Sequence, residues 1–141
     1  MLMLLLLSGC PAAGTNQLSA EVTQQGKNLQ IAGKSDLPDQ ALILISLLDP
    51  AKPEAMNRNV IVQEFAQVKA GGFSAELKPT QPVPPGKYRL RLRFAPDSYD
   101  PSKGVVLQAV GAKGEHLTGP QVVSEGDVKM LVSTQEIEYK P

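Results

Sequence analysis

The chain is expected to fold as a mainly β, antiparallel sandwich with one short helix. Three observations predict this. Twelve glycines and twelve prolines cut its 141 residues into short runs, and short runs between turn residues suit a sandwich better than a helical bundle. The run 87–94 alternates strictly, with Tyr88, Leu90, Leu92 and Phe94 on one side and Arg89, Arg91 and Arg93 on the other, the two-residue period of a strand. The run 41–48 is apolar on both faces, as in a strand covered on both sides.

Each element follows from its local pattern. Residues 18–23 and 28–32 form a strand pair turning at Gln25-Gly26, with Leu29 and Ile31 alternating with polar neighbours. Gly33 is expected to end the second strand, and Ser35-Asp36-Leu37-Pro38-Asp39 to turn the chain. The central strand 41–48 stops at Asp49-Pro50, and the polar, proline-containing stretch 50–58 reads as an exposed loop. Residues 59–68 form the next strand and Gly71-Gly72 breaks it. Phe73, Ala75 and Leu77 then alternate with Ser74, Glu76 and Lys78. Four prolines between Pro79 and Pro85 make a stiff connector, and Pro85-Gly86 turns it into 87–94.

After Phe94, Asp100-Pro101 reads as an N-cap with proline at the first helical position. Val105, Val106, Ala109 and Val110 then share a stripe, with Gly111 as the C-terminal cap. A short helix near residues 101–110 is expected. A strand over 105–110 is the competing reading, because Gly104 weakens the helix. The segment 114–120 is a loop, and 121–123 with 127–139 forms the final strand region. Its apolar phase starts as Val128, Met130 and Val132 and ends as Ile137 and Tyr139, which predicts a β-bulge near 133–135.

The N-terminus has a different character. Residues 1–10 are an apolar run closing on Leu7-Ser8-Gly9-Cys10. Those four residues resemble the lipobox of bacterial lipoproteins. The resemblance implies that the Cys10 thiol receives a diacylglycerol and that the chain is cut between Gly9 and Cys10. Residues 1–9 are then a signal peptide. No lysine or arginine precedes Lys27, so its basic start is expected to lie upstream. The run is too short to span a bilayer, which takes about 20 apolar residues. Residues 10–20 are expected to be the lipidated cysteine and a flexible tether, and 21–141 the domain. Pro11, not aspartate, follows the cysteine, which by resemblance to enterobacterial lipoproteins favours the outer membrane in a Gram-negative cell.

Across residues 28–94, Ile31-Ala32-Gly33 with Leu37-Pro38-Asp39, Gly72-Phe73-Ser74 and Pro85-Gly86-Lys87-Tyr88 resemble the Ig-like and transthyretin-like modules of bacterial envelope proteins. The resemblance implies an Ig-like sandwich and leaves the function open.

Composition excludes several activities. Fourteen basic and fourteen acidic side chains balance to zero net charge, so nothing points to nucleic acid. Aromatics are 4% with no tryptophan, which argues against a sugar platform or base stacking. One cysteine and one histidine make neither a zinc cage nor a disulfide framework, and no metal or cofactor is expected. His116 lies in a loop with no nucleophile elbow in the chain. Asp97 and Asp100 are too few for calcium and read as turn or cap residues.

Arg89, Arg91 and Arg93 are the candidate partner-binding residues, with Tyr99 as an exposed aromatic in a polar loop. Guanidinium groups on one strand face suit phosphates, lipid headgroups or an acidic partner. The plainer expectation is cross-strand pairing with Glu76, or with Glu136 and Glu138, each exposed pair adding about 0–1 kcal/mol. The sequence therefore predicts a lipid-anchored, non-catalytic binding or accessory module of the cell envelope, its partners being membrane lipid through Cys10 and another envelope protein. A structural surface component is the alternative, and a hydrolase using scattered Ser, Asp and His116 the remote one.

Overall fold

The computed structural model describes residues 15–54, 57–96 and 104–141. The elements are β1 (Leu18–Gln25), β2 (Asn28–Ser35), β3 (Leu42–Leu48), β4 (Val60–Gln67), β5 (Gly72–Leu77), β6 (Gly86–Phe94), α1 (Gly104–Val110), β7 (Val122–Glu125) and β8 (Val128–Tyr139). Two antiparallel sheets face each other, one in the order β1-β2-β5 and one in the order β4-β3-β6-β8-β7. In the lettering of immunoglobulin sandwiches, β1, β2 and β5 take the A, B and E places and β3, β6 and β8 the C, F and G places. The expected fold class is therefore the one observed.

The core lies between the sheets. Leu29, Ile31 and Phe73 come from one sheet, and Ile43, Ile45, Leu47, Leu90, Leu92 and Phe94 from the other, all buried. Burying each large aliphatic or aromatic side chain contributes about 1.5–3 kcal/mol. Gly33 lies inside β2 rather than at its end, directly opposite Phe73. A Cβ there would fall within the Phe73 ring, so the glycine is where the ring packs down on the backbone. The local sequence could not show this, because the ring comes from a strand forty residues away in the chain.

Two further expectations are corrected. The helix is present but begins at Gly104, with 101–103 outside the described residues. Its buried stripe is Val106 and Val110, whereas Val105 is 65% exposed. Two turns leave room for one contact line, and Val105 lies about 100° around the helix from it. The bulge near 133–135 is absent: β6 and β8 pair without interruption from Gly86 opposite Tyr139 to Phe94 opposite Leu131. Leu131, Ile137 and Tyr139 share the core face throughout. Met130 lies on the other face and is nonetheless buried, which produced the misleading change of phase. A register irregularity lies instead in the β3–β4 pairing, where Leu47 faces Val62 and Leu48 faces Val60, leaving Ile61 of β4 as the extra residue.

The registers place the loops at two poles. The chain enters at Leu18, opposite Ser35. That pole also holds the 36–41 and 68–71 connections and, of the segment after β6, residues 95–96 and 104–121 with α1. The β1–β2 turn, residues 49–54 and 57–59, the 78–85 connection and residues 140–141 lie at the other pole. Eight-residue strands separate the poles by about 27 Å. Among the described residues no helix is long and apolar enough to cross a membrane.

Candidate interaction surface

β6 presents the arginines as its alternation requires. Tyr88, Leu90, Leu92 and Phe94 are buried in the core, and Arg89, Arg91 and Arg93 project from the opposite side of the five-stranded sheet. Register aligns them with their neighbours in rows. Arg93 lies between Leu44 and Val132, Arg91 between Ser46 and Thr134, and Arg89 between Leu48 and Glu136. The Arg93 row continues to Phe65 on β4. Beside it, Met130 pairs with Val123 of β7. Phe65 is 53% and Val123 45% exposed, so an apolar side chain stands at each margin of the cationic strip.

The expected pairing partners are engaged elsewhere. Glu136 stands opposite Arg89 in register, but its carboxylate is 4.0 Å from Lys87 Nζ. Glu138 pairs with Lys140 at 2.9 Å. Glu76, on the other sheet, accepts from Gln30 Nε2 at 2.7 Å and pairs with Lys78. Among the described residues no carboxylate lies within 4.0 Å of any of the three guanidinium groups. The cross-strand partners were correct in place for Arg89 alone, and there the shorter-reaching lysine holds the glutamate.

The groups have instead an environment of sulfur, hydroxyl and each other. Arg93 Nη2 donates to Met130 Sδ at 3.2 Å. Arg91 is half-buried, and its Nε is shielded from solvent without a hydrogen-bond partner. Burial, and then the Arg93 charge, push the Arg91 pKa down, with Glu54 acting weakly the other way. Beneath Arg91, Ser46 is fully buried and its hydroxyl donates to Gln63 Oε1 at 3.2 Å. Leaving a buried N–H unsatisfied costs about 1–3 kcal/mol, so Arg91 is held in place at some cost in stability.

The other sequence candidates do not join it. His116 is exposed and its Nδ1 lies 3.3 Å from the Ala109 carbonyl, at the chain-entry pole. Cys10, Gly9, Tyr99, Asp97 and Asp100 lie outside the described residues. Among the described residues no three His, Cys, Asp or Glu side chains gather as metal ligands. At the far pole the 78–85 connector separates two open clefts. One, of about 400 Å³, is lined by Lys27, Pro79, Pro82 and Tyr139, and the other, of about 240 Å³, by Asp49, Lys52, Arg58 and Tyr88.

Phe65 and Val123 were missed in the sequence. Phe65 sits in Gln-Glu-Phe-Ala-Gln and looks like any strand aromatic; only the pairing of β4 with β3 shows that its side chain points away from the core. The chain matches no protein-family model, no curated protein and no solved structure.

Proposed function

We propose that this protein is a lipid-anchored, non-catalytic binding module of the bacterial cell envelope. Cys10 would carry the lipid and the residues after it would be the tether, shorter than the expected 10–20 because Asn16 is already bonded to Thr118 and β1 begins at Leu18; the sandwich would present a surface to another envelope protein. The observation that carries the binding reading is the row Arg89, Arg91 and Arg93, which among the described residues has no carboxylate within 4.0 Å. Leu7-Ser8-Gly9-Cys10 closing an apolar run supports the anchor. Tethering raises the local concentration of the domain without new contacts, so a weak surface suffices. In an anchored chain the pole holding residues 15–17 stands nearest the membrane, and both sheet faces remain open to partners on either side.

The test is the intact mass of the protein purified from its native membrane. The expected species begins at Cys10 and carries acyl chains. An unmodified chain that retains Met1 overturns the anchor and with it the envelope location.

A further inference from the structure

We propose that the solvent side of β6 docks an extended acidic segment of a protein partner, Arg89, Arg91 and Arg93 holding carboxylates at alternate residues and Phe65 seating an apolar side chain. The proposal deepens the binding-module reading by naming the partner's chemistry.

Three features of the surface carry it. The first is spacing. Alternate residues of a strand repeat every ~6.8 Å, and alternate side chains of an extended peptide repeat at the same interval. Three guanidinium groups on one strand therefore match carboxylates at every second position of a partner chain. The second is chemistry. Guanidinium is a planar fork that binds carboxylate in a bidentate manner. Among the described residues no carboxylate lies within 4.0 Å of any of the three guanidinium groups. The third is composition. Phe65 and Val123 are exposed at the margins of the strip, with Leu44 and Val132 half-buried in the same row as Arg93. A cationic strip flanked by apolar side chains fits a peptide with mixed side chains, with arginine and an aromatic residue as anchors. A free phosphate would leave the apolar margins unused.

The test uses the full chain purified in detergent and a short fluorescent peptide with glutamate at alternate positions, serine between them and one leucine. Fluorescence anisotropy is expected to report binding that weakens as salt rises. A peptide of the same composition with its glutamates contiguous should bind about fivefold more weakly, since only one carboxylate in two then faces the strip. Replacing all three arginines by glutamine should weaken binding about tenfold or more, and Phe65→Ser about threefold. Should the triple variant fail to fold, Arg89→Gln alone decides, with a loss of about threefold expected at that exposed position.

Equal binding by the variants, or equal affinity for the two peptides, overturns the proposal. So does displacement of the peptide by glycerophosphoglycerol at matched charge, which would make the strip a headgroup site. Acylation does not enter the measurement, so its failure is separable from failure of the anchor, which the intact mass reports.

Discussion

Tyr88 and Tyr139 meet edge to face, ring centroids 6.0 Å apart, and each hydroxyl closes the far pole. Tyr139 donates to the Lys27 carbonyl at 2.7 Å and Tyr88 to the Pro84 carbonyl at 2.6 Å. Burial pushes both phenol pKa values up, with Asp49 and then Tyr139 adding to the effect on Tyr88. In the unfolded chain these hydroxyls ionise near pH 10, while the folded chain still holds their protons. The folded state thus binds more protons in that window, and stability falls as pH rises. It should be flat below about pH 9 and decline above about pH 10, read as the urea midpoint across that range. Tyr139→Phe should make the alkaline decline shallower, while costing about 1 kcal/mol at neutral pH through the lost hydrogen bond. An unchanged slope would show that Tyr139 ionises freely in the folded protein.

At the scale of elements, the two sheets are joined near the chain entry by one side chain. Gln121 accepts from the Leu18 amide at 2.7 Å and donates to the Leu18 carbonyl at 3.0 Å. It bonds the backbone as a neighbouring strand would. Asn16 and Thr118 repeat the pattern beside it, backbone to backbone and through Asn16 Oδ1. Gln121→Ala leaves both Leu18 groups unmatched and should cost about 1–3 kcal/mol. Hydrogen exchange at the Leu18 amide should accelerate more than at Leu29 in the core strand; equal acceleration at both would mean that the sheet opens as one unit.

No pattern in the sequence announces this joint, because Gln121 and Leu18 are 103 positions apart. What was legible is what depends on neighbours in the chain. The alternation of 87–94 placed every β6 side chain correctly, and the doubly apolar 41–48 placed β3 inside its sheet, between β4 and β6. Misreadings arose where the second face of a strand is also covered. Met130 appeared to be core because it is apolar, and its contact with Arg93 depends on pairing that no local pattern encodes. The arginine strip was legible as a row, but its lack of counter-ions was not, since that depends on Glu76 lying in the other sheet and on Glu136 and Glu138 standing nearer Lys87 and Lys140.

For the whole molecule, sheet order sets when the fold can form. β8 lies between β6 and β7 inside the five-stranded sheet, and its Leu131 and Tyr139 are fully buried. A chain ending at residue 127 has no strand to cover the β6 edge or the core beside Tyr88. Such a truncation is expected to lose the cooperative unfolding transition and the β signal in circular dichroism, and a folded product would show the sandwich to be self-sufficient without β8. β6 can pair with β3 as soon as both exist, but its other edge and the core beside Tyr88 wait for residues 128–139, so a growing polypeptide is expected to complete the sandwich only at its last strand. If the chain crosses a membrane before it folds, as the proposed envelope location would require, this late closure would act as a built-in delay, keeping the chain slack until transit is complete.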